Sequence, residues 1–181
     1  EITVAEDPFP NSFSVMDDES VHEIEEVAAT IAEIDLSSNT PVGLHDFYLG
    51  LFYADNGLYS EAIMLLSNLL PVDVVNGESL SDPLPDANTL AGSPELYLRL
   101  GDYYRTVHLP LEAWLAYEAA LHIAEAQGDQ ASIGWAHAGL AEVVVRNSEI
   151  LEHYDAAIDF FETVGDEQNS QRLHENASVY R

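Results

Sequence analysis

Three charged side chains recur at spacings of three near the middle of the chain: Arg99, Asp102 and Arg105. On an α-helix, residues three apart lie on the same face, so these side chains would form one charged stripe. Arginine binds carboxylates through two parallel hydrogen bonds, and it is scarce here, since the chain has five arginines and no lysine. The stripe predicts either a polar binding surface or a ladder of ion pairs that only keeps the helix soluble.

Histidines provide the second set of candidates. His22 and Glu26 stand one helical turn apart, which is a spacing that two metal ligands on a helix can have. Acidic residues crowd that segment, however, and favour a solvated polar face over a metal site. His137, two residues after Trp135, is a candidate for either a pH-sensitive contact or an ordinary polar side chain.

Motifs of known catalytic chemistry are absent from the sequence. It contains no HExxH, no glycine-rich phosphate loop, no Gly-x-Ser-x-Gly and no EF-hand loop. The lack of cysteine excludes disulfides, thiol catalysis and cysteine-ligated zinc. We therefore expect neither an enzyme nor a bound cofactor or metal, and a helical hydrolase or metal enzyme is a minor alternative.

The balance of charge is strongly acidic, with 33 Asp and Glu residues and a formal charge of −28. Such a surface repels nucleic-acid phosphates and anionic lipids, so neither is an expected partner, and no apolar run approaches the length of a membrane span. The charge either keeps the protein soluble in a salty or extracellular setting or attracts a basic protein. A chain that opens at Glu1 without an initiator Met is expected to be a processed protein or an excised piece of a larger one. The compartment is left open: an extracytoplasmic protein or a processed fragment of a larger protein is favoured, and a cytoplasmic protein is the alternative.

The same charge predicts how stability responds to salt. Repulsion between carboxylates weakens when mobile ions screen it, and the Debye length shortens from about 30 Å at 0.01 M to about 8 Å at 0.15 M ionic strength. We expect the thermal midpoint at neutral pH to rise over this interval in differential scanning calorimetry. A midpoint that stays flat or falls would mean that the carboxylates are already paired or hold specific cations.

Apolar periodicity and helix-terminating residues divide the chain into helices. An early stripe of apolar residues at spacings of three and four comprises Val21, Ile24, Ala28 and Ile31. Its acidic surroundings predict an amphipathic helix. Later boundaries follow from prolines that suit helix starts and glycines that suit helix ends. The predicted elements are an extended lead-in 1–16, the amphipathic helix 17–35, helix pairs 42–70, 94–127 and 130–164, an insertion 72–92 between the first two pairs, and a last helix 167–178.

An internal repeat links the helix pairs. The first two pairs share the same sequence pattern. A leucine precedes a glycine, a tyrosine follows three positions after the glycine, and an alanine follows nine positions after the tyrosine. These positions are Leu49-Gly50-x2-Tyr53 with Ala62-x3-Leu66, and Tyr97-x2-Leu100-Gly101-x2-Tyr104 with Ala113-x3-Tyr117-x2-Ala120. In the third pair Trp135-x2-Ala138-Gly139 fits, but Glu142 replaces the aromatic residue. The pattern over 42–164 resembles the tetratricopeptide repeat, in which small residues stand where helices cross closely.

The resemblance implies an all-α, right-handed α-solenoid of about three helix pairs, with an extra N-terminal helix and a C-terminal capping helix. In that family the first helix of each pair lines a concave groove, which would place Arg99, Asp102 and Arg105 there as polar contacts. The same placement would put His137, on the first helix of the third pair, near the groove. The first helix of the first pair is apolar nearly all round, and its residues Phe47, Tyr48 and Leu51 would be apolar anchors. Alternatively, the 17–35 helix caps this surface.

The function implied by the resemblance is protein–protein interaction, with an extended or helical segment of a partner lying in the groove. The alternative is a structural or cell-envelope scaffold whose repeats stack and whose groove holds no peptide. Neither function needs a cofactor, and the sequence leaves the oligomeric state open.

Overall fold

The computed structural model describes residues 22, 24, 26–27, 29–30, 43–71, 79–80, 82–143 and 147–181. The chain forms two compact units, 1–34 and 35–181. In the first unit every described residue is helical, and the Thr30 hydroxyl donates to the Glu26 carbonyl oxygen at 2.9 Å. The predicted lead-in and the stripe residues Val21, Ala28 and Ile31 lie outside the described residues. Capping of the repeats by the 17–35 helix therefore stays a prediction.

The described part of the second unit is built from helices and contains no β-strand. The seven α-helices are α1 (Leu44–Asp55), α2 (Tyr59–Ser67), α3 (Pro94–Thr106), α4 (Pro110–Gln127), α5 (Gln130–Val143), α6 (Asn147–Val164) and α7 (Glu167–Ala177), and a short 3₁₀ helix covers Leu90–Gly92. The all-α fold class predicted from the sequence is confirmed.

The helices pack as successive pairs. α1 packs on α2, α3 on α4 and α5 on α6, while α7 covers α6. Neighbouring pairs meet through α2 with α3 and through α4 with α5, and α3 also lies against α5. Because each pair buries its apolar surface against the next pair, the arrangement is that of an α-solenoid.

Local sequence explains where several helices begin and end. Pro94 and Pro110 occupy the first turns of α3 and α4, where a missing backbone N–H costs nothing. Gly128 ends α4 with φ of 70°, a left-handed conformation that glycine adopts without steric cost. The Asp166 carboxylate caps α7 by accepting a hydrogen bond from the Asn169 backbone N–H at 3.1 Å.

The second half of the predicted insertion is packed against the second helix pair. Leu80 belongs to the apolar core. The Tyr97 hydroxyl donates to the Ala91 carbonyl oxygen at 2.9 Å, and the Gln127 side-chain amide donates to the Gly92 carbonyl oxygen at 2.7 Å. This part of the connection is therefore held by α3 and α4.

Tyr117 of α4 is one of the fully buried aromatic residues of the repeats. A Cβ atom added to Gly101 of α3 would lie 2.5 Å from its Cε1 atom, and one added to Gly139 of α5 would lie 2.4 Å from the same atom. Tyr53 and Tyr104 are half-buried and pack against the same core. The two glycines thus admit the ring of Tyr117 where α3, α4 and α5 meet.

Candidate functional site

A cavity of about 560 Å³ lies along α3 and α5 and is partly open to solvent. Tyr59 from α2, Tyr117 from α4 and Arg172 from α7 also contribute to its lining. Its volume falls in the range of ligand pockets, roughly 300–1,000 Å³. The first helices of the second and third pairs therefore form the walls of a groove, which we call the α3–α5 groove.

The α3–α5 groove concentrates the scarce arginines. Its charged lining comprises Arg99, Arg105 and Arg172 together with Glu95, Asp102 and Glu142. Among the described residues of the lining, three of the five arginines thus meet three of the 33 acidic residues, and their formal charges cancel in a chain of net charge −28. The sequence-predicted residues Arg99, Asp102 and Arg105 all lie in this lining, and Arg172 is an addition that only the packing of α7 supplies.

Ion pairs occupy two of the arginines. The Arg99 Nε atom donates to Glu95 at 2.7 Å, one turn back on the same helix. Arg105 reaches Glu142 of α5 at 2.8 Å and lies 3.6 Å from Asp102. The predicted ladder along α3 therefore forms only in part, because Arg99 turns to Glu95 and Arg105 joins the second repeat to the third.

Asp102 is held from the other side by Tyr117. The Tyr117 hydroxyl donates to the Asp102 Oδ1 atom at 2.7 Å. Burial raises the pKa of the Tyr117 hydroxyl, and the negative charge of Asp102 raises it further. The phenol therefore stays protonated and fixes the carboxylate that Arg105 also approaches.

Trp135 gives the groove an apolar contact surface. Its ring is 42% exposed and lies edge-on to Phe161, with ring centroids 4.8 Å apart. Leu98 and Tyr103 line the same cavity. Tryptophan and arginine dominate the energetics of many protein interfaces. Scarcity is the one feature of the sequence that could have drawn attention to Trp135, since the chain has only two tryptophans.

The predicted apolar anchors lie elsewhere. Phe47 and Leu51 are half-buried and pack against the core of the first two pairs, while Tyr48 is 53% exposed and contacts the ring of Phe47 edge-on. None of the three lines the α3–α5 groove. The apolar anchors expected from the sequence therefore lie outside the groove that contains the arginines.

His137 faces α6 rather than the groove. Its Nδ1 atom is 2.9 Å from the Nδ1 atom of His153, so one ring donates a hydrogen bond to the other. Burial lowers the pKa of both histidines, and the neighbouring His153 lowers the pKa of His137 further. Glu152 and Glu149 oppose this effect at His153. The pair holds α5 to α6 while both rings are neutral.

The histidine pair predicts that stability falls in mild acid. Because the pKa of each ring is lower in the folded protein than in the unfolded chain, the unfolded chain takes up protons first as the pH drops below the ordinary value of 6.5. The stabilisation is thus fully present above that pH and is lost as the pH falls toward the folded values. We expect urea midpoints measured between pH 7.5 and 5.5 to show a steeper fall for the native protein than for His137→Asn. The exposed His122→Asn is the control, and a native slope equal to that of His137→Asn would contradict the prediction.

No group of three or more ligand side chains within the described residues is placed to hold a metal ion. His22 and Glu26 are both exposed on their helix. Of the helices described, none combines the length and apolar character needed to cross a membrane.

Comparisons with known proteins give only loose structural likeness. No family model and no curated protein matches the chain. The crystal structure of MamA is similar over 92% of this chain and 96% of that chain, with 14% sequence identity and a TM-score of 0.39. Agreement at this level leaves function to be argued from the groove itself.

Proposed function

We propose that this chain is a protein–protein interaction module of the tetratricopeptide type, which holds an extended or helical partner segment in the α3–α5 groove. The observation that carries the proposal is the convergence of three of the five arginines with a half-exposed tryptophan in one cavity. Arginines that served only to keep the surface soluble would not have to cluster around an exposed aromatic ring. Arg99, Asp102 and Arg105 provide polar selectivity and Trp135 provides apolar area.

The fixed geometry of the groove also supports binding. Arg105 is tied to Glu142, and Asp102 accepts from Tyr117, so these side chains are already ordered before a partner arrives. Preordered side chains lose less conformational entropy on binding. Outside the groove the acidic surface favours partners whose flanking residues are basic.

A displayed library of random peptides tests the proposal. The native protein is expected to retain peptides that Trp135→Ala releases, because that change removes the exposed ring from the groove. Leu111→Ala is the matched control, since Leu111 is 64% exposed on α4 and does not line the cavity. Circular dichroism establishes that each variant is folded. Retention of the same peptides by folded Trp135→Ala would move binding away from the groove.

The scaffold function is the second candidate, favoured by apolar residues exposed on and beyond α6 and α7. Val164 and Val179 are 56% and 80% exposed. If these residues serve stacking, sedimentation velocity should show concentration-dependent association that Val179→Asp abolishes. In that case the peptide library should return no groove-dependent sequence.

A further inference from the structure

Arg172 differs from the other arginines of the described residues in its surroundings. Arg99, Arg105 and Arg181 each have a carboxylate within ion-pair distance. For Arg172 the described residues offer none at that distance. Hydrogen bonds from Asn169 lower the pKa of Asp166, and the charge of Arg172 adds only a smaller effect in the same direction. The side chain is exposed and lines the α3–α5 groove. The groove therefore contains a guanidinium whose bidentate hydrogen-bonding capacity is not used by any carboxylate of the described residues.

The acidic residues of the groove are already engaged. Glu95 accepts from Arg99, Glu142 accepts from Arg105, and Asp102 accepts from Tyr117. A carboxylate brought in by a ligand would thus meet Arg172 without displacing an existing pair. In a chain of net charge −28, this balanced lining is a place where an anionic group meets little local repulsion.

Trp135 lines the same cavity as Arg172. Its half-exposed ring can take an aromatic or large apolar side chain edge-on or offset, as aromatic pairs prefer. Glu95, Asp102 and Glu142 line the same cavity and each already accepts a hydrogen bond, so among the described residues every carboxylate of the groove has a partner. Charge complementarity therefore favours an acidic ligand over a basic one inside the groove.

Resting on the function proposed above, we propose that the α3–α5 groove recognises a protein segment carrying an Asp or Glu beside an aromatic or large apolar residue. The carboxylate binds Arg172 through paired hydrogen bonds, and the apolar side chain packs on Trp135. Basic residues of the partner lie outside the groove, where the acidic surface attracts them.

The composition of the library-selected peptides tests this specificity. We expect Asp or Glu within a few positions of Phe, Trp, Tyr or Leu in the peptides that the native protein retains. A synthetic selected peptide should lose about ten-fold or more in affinity when its acid is replaced by the matching amide, as expected for one charged hydrogen-bonded contact. Fluorescence anisotropy of the labelled peptide measures both affinities.

Variants of Arg172 complete the test. In Arg172→Gln, the affinity for the acidic peptide should fall to that of its amide form, and the affinity for the amide form should not change. Arg172→Lys should fall between the two, since it keeps the charge but not the bidentate geometry. Arg181→Gln, outside the groove, should bind as the native protein does. Two results would overturn the inference while leaving the proposed function standing. The groove-dependent peptides could lack Asp and Glu, or the affinity of the acidic peptide could be the same for Arg172→Gln as for the native protein. A library that returns no groove-dependent peptide overturns both.

Discussion

Replacing Gly101 with leucine is expected to destabilise the fold by on the order of 3 kcal/mol, at the upper end of typical overpacking costs. Even the Cβ atom of the new side chain would lie 2.5 Å from the Tyr117 ring. The ring cannot simply move away from Gly101, because Gly139 of α5 packs equally closely against the same Cε1 atom. The change therefore has to separate α3 from α4 or drive Tyr117 out of the core.

Urea denaturation followed by circular dichroism measures this cost. Arg99→Ala is the surface control on the same helix, and its local ion pair with Glu95 should contribute no more than about 0.5 kcal/mol. If Arg99→Ala and Gly101→Leu lower the free energy of unfolding equally, α3 and α4 do not cross at this glycine.

A double-mutant cycle identifies the clashing partner. Gly101→Ala should destabilise the native protein but cost little in a Tyr117→Ala background, where the ring that the new methyl group meets is gone. An equal cost of Gly101→Ala in both backgrounds would show that the helix backbones, and not the tyrosine ring, require the glycine.

Replacing Leu173 with alanine is expected to destabilise the protein by roughly 2–5 kcal/mol, the usual cost of truncating a buried leucine. Leu173 is fully buried in the cluster that Tyr154 and Phe161 of α6 help to form. α7 docks through this cluster, and the residue before Leu173 is Arg172. We therefore expect the variant to weaken binding of the groove-dependent peptide as well as stability.

Gln171→Ala is the matched control for α7. Gln171 is exposed and its amide donates to Glu175 within the same helix, so its loss should cost about 0.5 kcal/mol or less. Thermal midpoints and peptide affinity are measured for both variants. If Leu173→Ala lowers neither, α7 is not held by this contact and does not fix the position of Arg172.

The helical character of the chain could be predicted because local chemistry encodes it. Proline at positions 94 and 110 suits helix starts, and glycine at 128 suits a helix end whatever the rest of the fold does. Ser93 shows the limit of such rules: it occupies the N-cap position of α3, yet its side chain makes no capping hydrogen bond.

The candidate site could be predicted only on one helix at a time. The spacing of Arg99, Asp102 and Arg105 placed them on one face of α3, and all three line the groove. For His137, periodicity could not say which neighbouring helix its face meets. His137 meets His153 on α6, and the groove takes Trp135 from α5 instead.

The sequence by itself determined the all-α class, the helix-terminating residues and the acidic surface, since each depends on residue type and short-range spacing. Tertiary packing decided which distant groups meet: Arg105 with Glu142, Tyr117 with both glycines, and Arg172 with the α3–α5 groove. The physical reason is that the helical period fixes the direction of a side chain relative to its own helix axis. The partner it reaches depends on how separate helices pack, which is set by the volumes and contacts of residues far apart in the chain.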